Sequence, residues 1–157
     1  PSGPMPPVAK TFETVSTAKV AKSAAEAKDL LFLRPDDGVT MNRDRVLADA
    51  KAKALSLADD YVPPQPSGAS VPGPTARLAM EMAVDGFRQL GKATAHDVVV
   101  SNALARVLSG GDTDITESIS EQELLALERD VFVSLAKHSG SIARVAHMIK
   151  AGKPLRN

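Results

Sequence analysis

Three histidines, His96, His138 and His147, are the only side chains in the chain suited to proton transfer near neutral pH. None stands at the HExxH spacing that gathers zinc, and none neighbours a nucleophile motif. Each therefore reads as structural, His96 in the first turn of a helix and His147 on the exposed side of another. The acidic pairs Glu121 with Glu123 and Asp59 with Asp60 fall on polar faces or helix ends. Acid–base catalysis by paired carboxylates needs surroundings that push their pKa values apart, and a solvated surface does not. Gly110-Gly111-Asp112 has the composition of a phosphate loop, but it follows a helix and no Lys-Ser or Lys-Thr comes after it. Helix termination explains it better. Met80, Met82 and Met148 read as packing or interface residues. There is no dinucleotide fingerprint, and the absence of cysteine excludes thiolate nucleophiles, thiolate metal sites and disulfides. No residue is assigned a catalytic or metal-binding role.

The basic ending is the one cluster that invites a ligand. Lys150, Lys153 and Arg156 lie at or beyond a helix C-terminus. The macrodipole there already favours cations by about 0.3–1 kcal/mol each, which accounts for them on local physics alone.

The elements that must position these groups are helices. Ser120 with Glu123 has capping-box spacing, and Leu124, Leu127, Val131 and Leu135 follow at spacings of three and four on one stripe, broadened by Leu125 and Phe132. Gly140 is expected to end this helix and Ser141 to cap the next. Ile142, Val145, Ala146 and Ile149 give that second helix its apolar side, and Gly152 with Pro154 stops it. Upstream, Thr94 with Asp97 caps a helix carrying Val98, Val99, Val100, Leu104, Val107 and Leu108. Before it, a helix from Pro74 has Leu78, Met82, Phe87 and Leu90 as its apolar side and ends at Gly91.

In the first half, residues 1–10 are expected as an irregular arm, followed by a short helix with Phe12 and Val15 buried. Ser23 with Glu26 opens a helix to Leu30 or Leu31. Asn42 caps a longer one to about Tyr61, with Val46, Leu47, Ala50, Ala54, Leu57 and Ala58 facing inward. Residues 62–74 hold five prolines and two glycines in thirteen positions, a linker that is either extended and mobile or laid along a partner domain. The fold class is therefore all-α, an array of about seven helices in two sub-regions, 11–62 and 75–157, joined by the Pro/Gly-rich linker 63–74. Each sub-region is small for an independent core.

Hydrophobic residues make up 43% of the chain but aromatics only 3%, so its core is built from Ala, Leu, Val and Met. Formal net charge is zero, with 19 basic and 19 acidic residues, which argues against a nucleic-acid partner. No apolar run approaches the roughly 18 residues of a membrane span. With Pro1 in first position and no initiator Met there, we expect a piece of a longer chain.

The ending Gly152-Lys153-Pro154-Leu155-Arg156-Asn157, behind the helix pair from Ser120, resembles the C-terminus of the crotonase (enoyl-CoA hydratase) part of bacterial multifunctional fatty-acid oxidation proteins. Those proteins join it to a 3-hydroxyacyl-CoA dehydrogenase. The resemblance covers Phe12 to Tyr61 and Pro74 to Asn157. It includes Phe12-Glu13-Thr14-Val15, Ala18-Lys19-Val20, Ser23-Ala24, Glu26-Ala27-Lys28 and the run Met41 to Lys51. In that family the Glu-Ala helix usually closes on a glycine; Leu31 stands in its place here.

What the resemblance implies is a C-terminal piece of a fatty-acid β-oxidation enzyme, an oxidoreductase and lyase of the cytoplasm, covering the acyl-CoA site. Its catalytic carboxylates and oxyanion donors lie upstream. NAD is expected in the parent and no cofactor in this piece. Partners are the rest of the parent polypeptide and acyl-CoA, with a homo-oligomer a further expectation. Lys150, Lys153 and Arg156 would approach the phosphates of CoA, and Phe132 would line the acyl or adenine side, or else be simple core. The alternative is a free-standing helical protein-interaction module. Exposed apolar helix faces and self-association favour the first; a monodisperse, cooperatively melting chain favours the second.

Overall fold

Proline early in a stretch of helix-forming residues starts helices rather than preventing them, because the first turn needs no N–H from it. The computed structural model, which describes residues 3–157, places the first helix, α1, at Met5–Ser16, with Pro6 and Pro7 in its first turn. The expected irregular arm over residues 1–10 is corrected accordingly; its Pro1 and Ser2 lie outside the described residues. There follow α2 (Ala24–Asp29), a 3-10 turn (Arg43–Arg45) leading into α3 (Val46–Ala58), α4 (Gly73–Gln89), α5 (Ala95–Leu108), α6 (Glu121–Lys137) and α7 (Ser139–Ala151). The all-α class holds. The one strand pairing among the described residues is a short antiparallel ladder of β1 (Ala69–Ser70) with β2 (Ser118–Ile119), which sets Ala69 opposite Ile119. None of these helices is long and apolar enough to cross a membrane.

The chain forms two compact units, divided differently from the sequence expectation. One takes in the N-terminal stretch up to Ala18 together with Pro66–Asn157, and the other is Lys19–Gln65. The helix α1 joins the C-terminal helices because Phe12, 8% exposed, packs with Met80, Val84, Val98 and Ala105, and Val8 lies against the same cluster. Val15, expected inside with Phe12, is exposed.

Within this first unit, α4 faces the core with Ala76, Met80 and Val84, so Leu78, Met82, Phe87 and Leu90 point outward, against expectation. Both stripes recur at helical spacing, and periodicity alone cannot choose between them. The smaller stripe brings Gly73 and Ala76 to the packed side. Nor is all of 63–74 a free linker. Residues 63–68 are exposed and irregular, but β1 is paired with β2, and the buried Val71, Pro72 and Gly73 lie against the end of α5. The N–H of Gly73 donates to Ser109 O at 3.1 Å. Gly110, at φ +83°, lies so close to Val71 that a Cβ there would overlap its side chain.

The second unit is held by local polar contacts. Lys28 Nζ donates to Pro35 O at 2.7 Å, and Thr40 Oγ1 to Asp49 Oδ2 at 3.0 Å. The inward face expected for α3 is not formed: Val46, Leu47, Ala50, Ala54, Leu57 and Ala58 are all exposed. The unit offers α3 only the short α2 and its turns as partners, too little surface to cover a four-turn helix.

Candidate functional site

The first turn of α5 gathers the chemistry-bearing side chains. Its N-terminus is fixed by the capping box that the sequence implies: Asp97 N donates to Thr94 Oγ1 at 3.2 Å, and Thr94 N to Asp97 Oδ2 at 2.9 Å. This leaves Asp97 Oδ1 free to accept from Arg144 Nη2 at 2.6 Å. Arg144, half-buried on α7, also donates from Nε to Asn157 Oδ1 at 2.8 Å and from Nη2 to Thr94 Oγ1 at 3.3 Å. Asn157 completes the circuit. Its Nδ2 donates to Gly140 O at 3.2 Å, and its O accepts from His96 N at 3.1 Å. The residues after α7 thus fold back, and Asn157 O satisfies the His96 N–H, one of the amides at the start of α5 that have no partner within the helix.

His96 sits beneath this circuit at 5% exposure. Its Nε2 lies 3.0 Å from Ser141 Oγ, its ring stacks on His138 with centroids 4.8 Å apart, and its Nδ1 has no partner. The cover is thin, because His138 is itself exposed. Burial lowers the His96 pKa below 6.5, helped by the neighbouring Arg144 and His138 and opposed by Asp97. For Asp97, burial acts to raise the pKa but is outweighed by the Thr94 N–H and the Arg144 guanidinium, which bring it down to about 2.

The turn between the last two helices differs from expectation. His138, not Gly140 or Ser141, makes the break: it ends α6, and its Nδ1 accepts from Gly140 N at 3.1 Å to cap α7. Gly140 is needed for close approach instead, since a Cβ there would lie 2.5 Å from His96 Nδ1.

An apolar cavity of about 440 Å³ opens beside Asp97 and Arg144, walled by α1 (Val15), α5 (Val100, Leu104, Val107) and α6 (Val131, Phe132, Leu135). Phe132 is 68% exposed, so the simple-core reading of it fails. Lys150, Lys153 and Arg156 do not line the cavity. Lys150 and Lys153 are exposed at the end of α7, and Arg156 donates to Lys92 O at 3.2 Å. The structure therefore does not bring the four residues expected at CoA into one site. A second groove of about 740 Å³ runs between α1 and α4, with Phe12, Met80 and Phe87 in its walls.

Sequence reasoning missed Arg144 and Asn157. The Thr94–Asp97 box was the available signal, for it leaves one carboxylate oxygen seeking a donor. No three His, Asp or Glu side chains among the described residues are grouped to hold a metal ion. With His96 enclosed and Arg144 engaged by Asp97 and Asn157, the cluster is built to hold α7 and the tail against α5.

No family model matches the chain, and no solved structure matches it. Over 155 residues, 98% of its length, the chain is 39% identical to a protein of Bacillus subtilis (strain 168) named "Probable 3-hydroxyacyl-CoA dehydrogenase". It spans only 20% of that protein's length.

Proposed function

We propose that this chain works as part of a 3-hydroxyacyl-CoA dehydrogenase of the fatty-acid β-oxidation type, as helical cover and packing for an acyl-CoA site whose reacting groups belong to other polypeptide. The observation that carries this reading is the 39% identity running through 155 residues, nearly the whole chain. Exposure supports it further. Phe132, Val145 and Ile149 on α6 and α7, and Leu78 and Met82 on α4, leave apolar surface of the kind that further polypeptide covers.

The finer reading is that the chain belongs to the enoyl-CoA hydratase (crotonase) part of such a protein. It rests on the ending Gly152 to Asn157 and on the helix order before it. In this reading Lys150 and Lys153, exposed and close to a helix C-terminus, are the cations for the CoA phosphates, while Phe132 faces the acyl side. In this reading NAD is bound by other parts of the parent. Among the described residues, the one place where a strand leads through a glycine into a helix is β1–Gly73–α4, and there Thr113 O lies 3.2 Å from where a Cβ would stand. Nicotinamide chemistry belongs to polypeptide outside this chain.

A replacement experiment tests the proposal. Deleting the matching stretch from the Bacillus subtilis protein should abolish its turnover of acyl-CoA substrates, and inserting this chain in its place should restore it. The isolated chain should turn over neither crotonyl-CoA nor 3-hydroxybutyryl-CoA with NAD. A replacement as inactive as the deletion, or turnover by the isolated chain, refutes the reading.

A further inference from the structure

A helix with no buried side chain is held in place by whatever polar contacts it makes, and α7 is such a helix. Its attachment to α5 runs through the Arg144–Asp97 pair, the Asn157 bonds and the two histidines. The His96 imidazole is engaged in a way that needs it neutral. His138 Nδ1 accepts the Gly140 N–H and so caps α7. His96 is enclosed, with Ser141 at one ring nitrogen and no acceptor at the other, so a second N–H would be buried without a partner.

The surroundings reinforce this. The charged and titratable groups facing the His96 ring are Asp97 from its own helix, His138 from the break and Arg144 from α7, while the tail contributes the Asn157 carbonyl oxygen to the His96 N–H. Asp97 is the only anion among them, and its two oxygens are already taken by Thr94 and Arg144. An imidazolium at His96 would face the Arg144 cation at close quarters and would stack on a second imidazole.

We propose that His96, stacked on His138, is an acid-sensitive latch: neutral, it holds α7 and the residues after it to α5, and proton uptake at His96 releases them while the core of α1, α4 and α5 stays folded. The core lacks such a dependence because it is made of Phe12, Met80, Val84, Val98 and Ala105. The sign follows from linkage. His96 takes up its proton less readily folded than released, so its share of the latch is fully present above pH 6.5 and drains as pH falls below it. One linked proton permits a loss of up to about tenfold per pH unit.

The test is amide hydrogen exchange on the full chain between pH 7.5 and 5.0, corrected for intrinsic rates. Protection of the α7 amides and of His96 N–H should fall by about tenfold or more, while Met80 and Val84 hold theirs. In the double variant His96→Phe, His138→Asn, which keeps a ring to pack and a residue able to cap α7, the α7 protection should be flat with pH. A flat wild-type profile, parallel loss in the core, or an unchanged slope in the variant overturns the proposal. Should the variant not fold, the wild-type His96 ring resonance decides: it must titrate together with the loss of α7 protection. A ring that takes up its proton while α7 stays protected refutes the latch.

Discussion

Adding one methyl group at Gly140 measures how tightly α7 is seated on His96. In an unobstructed helix, replacing glycine by alanine gains up to about 1 kcal/mol. At Gly140 the new Cβ would stand 2.5 Å from His96 Nδ1 and 2.7 Å from Cγ. These are ring atoms of a buried side chain, and the ring cannot swing away without leaving Ser141. Overpacking of that kind costs about 1–3 kcal/mol, and loss of the Ser141 hydrogen bond adds about 1 kcal/mol. The penalty exceeds the gain, so Gly140→Ala should destabilise the first unit by about 1–3 kcal/mol. Gly86→Ala is the control: it sits in α4 with nothing within 4 Å of its Cβ position, so it should stabilise by about 0.5–1 kcal/mol. Urea unfolding followed by circular dichroism gives both values, and exchange of the α7 amides locates the first. Combining Gly140→Ala with His96→Ala should recover at least about 1 kcal/mol relative to the sum of the single changes. If Gly140→Ala matches or exceeds the wild type, the ring is not where the packing argument places it.

Two further substitutions probe each unit by itself. Leu31 follows α2 at φ +62° while 76% exposed, so Leu31→Gly relieves about 1 kcal/mol of left-handed strain with little apolar burial lost; slower exchange of the Phe32 amide, which donates to Ala27 O, should report it, and unchanged or faster exchange would contradict it. Asp97 contributes stability that is fully present above pH 3.8 and is lost as pH falls toward about 2. After allowing for a side chain one-third exposed, Asp97→Asn should cost about 1–2 kcal/mol at pH 7 and almost nothing near pH 2, and a pH-independent cost would rule out the Arg144 pairing as its source.

Short-range chemistry was legible. Both capping boxes, Thr94 with Asp97 and Ser120 with Glu123, form with their reciprocal bonds, and Gly152 ends α7 in the left-handed conformation. Such motifs span four residues, so their partners are fixed by spacing alone. Ser23 with Glu26 succeeded by half: Ser23 Oγ accepts from Glu26 N, but the Glu26 carboxylate takes the Lys22 N–H instead. Leu31 was also informative. Its backbone adopts the left-handed torsion that glycine usually takes, although the side chain is leucine.

What the sequence hid were choices between faces and between distant partners. On α4, the stripe of Leu78 and Met82 is more apolar than that of Ala76, Met80 and Val84, yet the second is buried. Hydrophobicity ranks faces by transfer free energy, whereas packing also rewards the face that lets two helix axes approach. The candidate site is of the second kind. Arg144 and Asp97 lie 47 positions apart, and His96 and Ser141 lie 45 apart, so no window of helical periodicity contains either pair. The same distances explain why a reading centred on the cations of the tail overlooked the residue beside them. Lys150 and Lys153 are conspicuous because they are exposed and clustered, while Arg144 matters because it is half-buried and already paired. A charge that has been partly desolvated must have its counter-ion in the fold, and α7 has no buried apolar side chain to hold it otherwise. The polar cluster, rather than the apolar stripe of Ile142, Val145 and Ile149, therefore decides where the last helix sits and leaves that stripe exposed.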